Sequence, residues 1–173
     1  MKIDITDLKS IENQIEEHEV TAGFSSFRSR MGEFPITKKE PFLLHLEQKE
    51  NQSLAVCGKT KITILVPCDR CLKETAVQIP VAIRREFLLK ESESEEADGD
   101  MEYLEGTELD VDALIYDEIL TGFPMKVLCR EDCKGICRTC GINLNDKTCS
   151  CGRTDLDPRM AAIQDIFHQF KEV

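Results

Sequence analysis

The run CREDCKGICRTCG, residues 129–141, places four cysteines within thirteen residues, and CSC at 149–151 adds two more. Another pair lies far upstream in CDRC at 68–71, and Cys57 brings the total to nine. Cysteines this dense constrain a fold more than any other feature of the chain, because they must be cross-linked, bound to metal or kept reduced. The compartment chooses among these. The start, MKIDITDLKSIENQIEEHE, has no apolar stretch behind its first lysine, so no secretory leader is expected. No segment approaches the roughly 18 apolar residues of a membrane span. The expectation is a soluble, cytoplasmic protein with reduced thiols, where close-spaced cysteines read as metal ligands before disulfides. The odd count also disfavours a fully paired disulfide framework.

Zinc takes four soft ligands in a tetrahedron, and thiolates bind it well. Two cysteines separated by two residues reach one metal from a single tight turn whose amides point at the sulfurs. Cys137-Arg-Thr-Cys140-Gly141 has this knuckle form, and Gly141 permits the positive φ that curls the chain over the metal. Cys149 and Cys151 can supply the second pair, with Asn143, Asn145 and Gly152 suited to the turns around them. One expected site is therefore Cys137, Cys140, Cys149 and Cys151. Cys129 and Cys133 need two further ligands, which Cys68 and Cys71 offer. That second site, Cys68, Cys71, Cys129 and Cys133, would span the 57 residues from Leu72 to Leu128. A rival partition groups Cys129, Cys133, Cys137 and Cys140, and joins Cys68 and Cys71 to Cys149 and Cys151. The first is preferred because it makes the 137–151 site self-sufficient and explains why CDRC stands where it does. Two Zn²⁺ are expected, with iron–sulfur ligation as the alternative.

The surrounding pattern is β-rich. FLLHLEQ from Phe42 reads as one strand. In LAVCGKTKITILVPC, Val56, Gly58, Thr60, Ile62, Ile64 and Val66 face one way and Lys59, Lys61 and Thr63 the other. After CDRC the alternation resumes with Val77, Ile79, Val81, Ile83 and Phe87, so CDRC sits at the turn of a hairpin. Pro80 marks a bulge or a sheet edge. Parity puts Cys57 with the lysines, and it receives no role. Within residues 1–40, SIENQIEEHEV reads as a short polar helix or an excursion between strands, and GEFPITKKEP as loop. DVDALIYDEILTG reads as an amphipathic helix with Val111, Leu114, Ile115, Glu118 and Ile119 on one stripe, ended by Gly122 and Pro124. Asp157 and Pro158 open a C-terminal helix with Met160, Ile163, Phe167 and Phe170 on one face.

The expected fold is α+β: an antiparallel β-rich body, two or three helices and a small zinc-ribbon-like C-terminal module. Its parts are a β-rich body with the CxxC hairpin (1–90), an acidic linker (91–108), and a unit of helix, cysteine-rich module and C-terminal helix (109–173) packed on the body. The net charge of −11 is local in origin. Residues 91–118 hold thirteen Asp or Glu and no Lys or Arg, so the remaining residues sum to +2. ESESEEADGD reads as a solvated loop or as an arm toward a basic partner.

Catalysis finds little support. His18, His45 and His168 fall in no recognisable motif, and no phosphate-binding glycine loop or metalloprotease helix is present. CDRC as a redox pair lacks the βαβ setting of thioredoxin-like chemistry. No catalytic residue, cofactor-binding residue or small-molecule substrate is assigned, and the chain is expected not to be an enzyme.

CDRC between strands, the acidic linker, DVDALIYDEILTGFPMKVLC, DCKGICRTCGINLN and the closing CSC together resemble the bacterial YceD-like family, named for large ribosomal RNA subunit accumulation. The resemblance covers about residues 40–170, and KGICRTCGINLN is its most specific part. It implies a small, cytoplasmic, non-enzymatic factor in synthesis, processing or stability of 23S rRNA, with a large-subunit ribosomal protein or rRNA as partner. It also supports grouping Cys68 and Cys71 with Cys129 and Cys133. A general RNA-binding module and a zinc-thiolate redox switch are the alternatives. Residues 126–153 carry six basic and three acidic side chains, a formal +3. Eight thiolates and two Zn²⁺ would contribute −4, so much of this basic charge offsets the metal clusters. Basic and aromatic residues do not interleave as in RNA-binding surfaces, and affinity for naked RNA is expected to be modest.

Overall fold

A computed structural model of the chain describes residues 1–10, 14–49, 53–89 and 103–151. Its elements in order are β1 (Lys2–Asp4), α1 (Thr6–Ser10), β2 (Ile15–Val20), β3 (Ser26–Ser29), β4 (Gly32–Lys39), β5 (Phe42–Lys49), β6 (Ser53–Pro67), β7 (Glu74–Leu88), β8 (Leu104–Glu105), β9 (Glu108–Asp110) and α2 (Val111–Gly122). The fold is an antiparallel, β-rich assembly with few helices.

The large sheet is organised by β6. One of its edges pairs with β7 in unbroken register from Ser53↔Leu88 to Pro67↔Glu74. The other edge takes β5 over Leu44↔Gly58 to Lys49↔Ser53, and β4 over Ile36↔Ile64 to Lys39↔Ile62. β4 and β5 thus run in line as one antiparallel partner, broken at Glu40–Pro41. β2 pairs with β5 and β3 with β4, while β1, β9 and β8 form a small second sheet. Pro80 lies in β7, which among the described residues pairs only with β6, so the missing N–H is tolerated at a sheet edge rather than by a bulge.

Two expectations for the first forty residues are corrected here. Neither a polar helix nor an excursion occupies the end of SIENQIEEHEV: Ile15–Val20 is strand β2. It is an outer strand with only Val20 buried, so its glutamates alternate without an apolar signal. Within GEFPITKKEP, Gly32–Lys39 is not loop but strand β4, and only Glu40 and Pro41 lie outside it. Pro35 falls just before the β6 ladder, which starts at Ile36, and so removes no bond from it.

Inward parity along the hairpin is as the alternation reads. Val56, Ile62, Ile64 and Val66 of β6 and Ile79, Val81, Ile83 and Phe87 of β7 are buried on one face. A side chain of this kind stabilises by about 1.5–3 kcal/mol when fully withdrawn from water. Gly58 belongs to the same face because Phe42 crosses it: a Cβ there would stand 2.7 Å from the ring. Helix α2 packs on β7 through Val111, Leu114, Ile115 and Ile119. Asp110 caps it, its Oδ1 accepting from the N–H groups of Asp112 at 3.0 Å and Ala113 at 3.2 Å. Past the helix, Phe123 stacks on Phe27 and Phe34, with ring centroids 5.5 and 5.7 Å away. This turns the chain toward the β6–β7 turn. The acidic run 91–100 and the expected C-terminal helix lie outside the described residues.

Candidate metal centres

The hairpin turn and the segment after α2 are joined by backbone before any metal is considered. Asp69 N–H donates to Val127 O at 2.9 Å, and Asp69 Oδ2 accepts from Val127 N–H at 2.6 Å. Farther on, Ile136 N–H donates to Arg70 O at 3.1 Å, and Arg70 Nη1 donates to Cys133 O at 2.8 Å. Gly135, at φ 77°, makes this approach possible, since a Cβ would lie 3.0 Å from Arg70 O.

Both CxxC segments fold into the same turn. Leu72 N–H donates to Cys68 O at 2.9 Å and Cys68 N–H to Lys73 O at 2.9 Å. Gly141 N–H donates to Cys137 O at 2.9 Å and Cys137 N–H to Ile142 O at 2.8 Å. The residue after the second cysteine is left-handed in each, Leu72 at φ 62° and Gly141 at φ 72°. Such a turn aims two thiols to one side.

The structure gathers eight of the nine cysteines into two groups of four. The sulfurs of Cys68, Cys71, Cys129 and Cys133 all lie within 4.8 Å of one another, and so do those of Cys137, Cys140, Cys149 and Cys151. In the first group Cys68 and Cys133 are 3.9 Å apart and Cys71 and Cys129 3.5 Å. A tetrahedral zinc with sulfurs at about 2.3 Å separates them from each other by about 3.8 Å. The two groups can therefore each hold a metal ion. Cys57 stands apart and exposed on β6.

The groups differ in surroundings. Cys68, Cys71 and Cys133 are buried at the base of the hairpin turn. Asn145 Nδ2 donates to Cys133 Sγ at 3.2 Å, while its Oδ1 accepts from Lys134 N–H at 2.8 Å and Arg130 Nη2 at 2.9 Å. This amide orients the Cys133 sulfur, as a supporting partner of a metal ligand would. Asn145 was expected only to suit a turn, and Asp69, Arg70 and Gly135 carried no sequence signal beyond their closeness to cysteines. The second group is more open, with Cys140 exposed. A cavity of about 630 Å³ lies against it, with Lys134, Arg138 and Lys147 among its walls.

Protons are unevenly shared within each group. Burial opposes the Cys68 thiolate, yet the N–H groups of Cys129, Arg70 and Cys71 bring its pKa down to about 6. Burial and bonds to its neighbours push Cys129 up to about 12. The N–H groups of Cys140 and Thr139 lower Cys137 to about 6, and Cys151 is raised to about 12 by its bond to Cys140 and by burial. Each group thus sets a cysteine that ionises readily beside one that holds its proton, Cys68 beside Cys129 and Cys137 beside Cys151. Of the histidines, His18 meets Glu16 and His45 meets Glu17, each at 3.0 Å, and neither approaches the groups. His168 is outside the described residues. Among those residues, no helix is long and apolar enough to cross a membrane.

The sequence model of the family described as large ribosomal RNA subunit accumulation protein YceD matches residues 56–167. That span is well over half of the chain and holds both cysteine groups. The chain belongs to the YceD family. A chloroplastic YCED homolog 1 of Arabidopsis thaliana, named as a large ribosomal RNA subunit accumulation protein, is 31% identical over 65 residues. That alignment covers 38% of this chain and only 20% of the plant protein. Uncharacterized proteins of Mycobacterium tuberculosis and Mycobacterium bovis are 24% identical over 143 residues, covering 80% of this chain and 69% of theirs. No solved structure matches the chain.

Proposed function

We propose that this YceD-family chain is a cytoplasmic, zinc-stabilised, non-catalytic factor that supports accumulation of 23S rRNA in the large ribosomal subunit. It acts by binding a large-subunit ribosomal protein or the RNA itself. The process comes from the family's description and from the name of the plant relative. The mode of action comes from the cysteines. Thiolate sets favour zinc among the available divalent ions, and a site closed by four protein ligands has no open position for substrate. The observation that carries the reading is the first group, in which two ligands come from the β6–β7 turn and two from the segment after α2. A metal there would fix the end of the hairpin and the following module as one rigid surface. Cys137, Cys140, Cys149 and Cys151 would hold the second ion and order the module itself.

Two measurements test this. Metal analysis of the purified chain should give two zinc ions, and iron with acid-labile sulfide would replace zinc in the reading. Depleting the protein in its host should lower the ratio of 23S to 16S rRNA and the yield of large subunits, with restoration by the wild-type gene. An unchanged ratio with normal large subunits would refute the proposed process.

A further inference from the structure

The outer face of the large sheet carries a row of side chains that the metal centres do not use. Register sets Glu17 of β2 opposite His45 of β5, His45 opposite Cys57 of β6, and Cys57 opposite Arg84 of β7. Directly opposed side chains on one face stand about 4.5–5.5 Å apart at Cβ. Glu17 Oε1 lies 3.0 Å from His45 Nδ1, which orients the ring and leaves Nε2 as the nitrogen not engaged by Glu17. Cys57 is a free, exposed thiol. A thiol, an imidazole and the carboxylate that orients it therefore come from three neighbouring strands in one line, although no hydrogen bond joins Cys57 to His45 in this structure.

The row opens into a cleft of about 870 Å³ whose walls include Leu43, Lys59 and Arg84 along with His45 and Cys57. Lys59 follows Cys57 on the same face of β6, and Arg84 faces it from β7. Neither cation has a carboxylate partner among the described residues. Glu19, the carboxylate that also lines the cleft, belongs to β2, on the far side of β5 from Cys57. The cleft thus offers a thiol, an imidazole and two cations beside the exposed side chain of Leu43. A small anion that presents a sulfur to Cys57 matches all of these.

We propose that Cys57 is a thiol–disulfide exchange site for small disulfides that carry carboxylates, of which oxidised glutathione is one. Lys59 and Arg84 hold the carboxylates. His45 Nε2 takes the proton from Cys57 Sγ, and the sulfur attacks one sulfur of the incoming disulfide. The incoming S–S bond breaks, a Cys57–S–S bond forms, and the other half departs as a thiolate that recovers the proton. The disulfide supplies the only oxidising equivalent needed, and one disulfide replaces another.

The test uses the full chain purified with zinc, with oxidised glutathione as anionic probe and cystamine as cationic probe. Mass spectrometry locates the adducts and a chromophoric chelator follows metal. Glutathione should add first at Cys57, release no metal, and leave that position unmodified in Cys57→Ser. At low salt it should react about tenfold faster than cystamine, a preference that screening by salt reduces. Lys59→Gln with Arg84→Gln should bring the two rates together. His45→Gln should slow both probes about tenfold at pH 7. These side chains are exposed, and an unchanged melting curve verifies each fold. First adducts on the clustered cysteines with loss of metal would overturn the proposal. So would equal rates for the two probes in the wild type, or a Cys57–Cys57 disulfide between chains as the main product.

Discussion

Replacing Cys71 by serine asks whether the hairpin turn and the segment after α2 share one metal. A metal on Cys68, Cys71, Cys129 and Cys133 cross-links the chain across the 57 residues from Leu72 to Leu128. If it acts as a covalent closure would, the chain-entropy relation gives about 4 kcal/mol for a loop of that length. For a chain of this size, that lowers the melting temperature by roughly 8–16 °C. The contacts between Asp69 and Val127 and between Arg70 and Ile136 persist, so the core should remain folded while the turn end of β6 and β7 frays. Amide exchange should quicken near Val66 and Thr75, which pair at that end. Cys140→Ser is the control, because its site closes only the eight residues from Gly141 to Thr148 between its CxxC turn and Cys149. It should also lose one metal, yet leave the main transition within about 1 kcal/mol, as expected when no contact with the core changes. Metal analysis, thermal unfolding and amide exchange on the three proteins decide the matter. One metal per wild-type chain, two in Cys71→Ser, or identical melting of the two variants would refute the bridging site.

Gly135→Ala puts a Cβ 3.0 Å from Arg70 O at a φ of 77°. It should cost about 1–2 kcal/mol and weaken metal retention against a chelator; unchanged retention would show that the close approach is unimportant. At Leu72, whose φ is 62° and whose side chain is exposed, Leu72→Gly should be neutral or stabilising, whereas Leu72→Val should lose about 1 kcal/mol or more in denaturant titrations. A larger loss for glycine than for valine would mean that the side chain makes a contact of its own. Metal uptake should release protons. Cys129 at about 12 and Cys71, raised by burial and its bonded neighbours against the Lys73 amide, are both protonated at pH 7, so the first site must shed at least two. Its affinity should therefore fall by about a hundredfold or more per pH unit below neutrality, because protons compete for the same sulfurs. Calorimetry in buffers of different ionisation enthalpy counts them, and fewer than two protons per metal at this site would contradict this assignment of charge.

The legibility of this chain follows the distance over which each feature is determined. The inward parity of 56–66 and 77–87 is readable because each strand buries one face, and the helix at 111–122 is readable because its stripe and its Gly122 stop are local. The gathering of the sulfurs into two groups is readable for a related reason: one CxxC turn aims two thiols to one side, and a set of four needs another pair. Strands β2 and β4 were opaque, because what makes them strands is pairing with β5, β3 and β6, and an edge such as Ile15–Val20 buries almost nothing to mark it. Leu72 illustrates a middle case. Nothing in CDRCL announces a left-handed leucine, but CRTCG, the same turn later in the chain, has glycine at the equivalent place. Comparing the two turns within one sequence would have exposed it. The row from Glu17 to Arg84 lies at the other extreme. Its members are assembled by three separate registers, none of which is encoded near the residues it aligns. Parity could place Cys57 on the outer face, but only pairing could put a base on one side of it and a cation on the other. A cysteine without a role in the sequence can therefore gain one from the sheet.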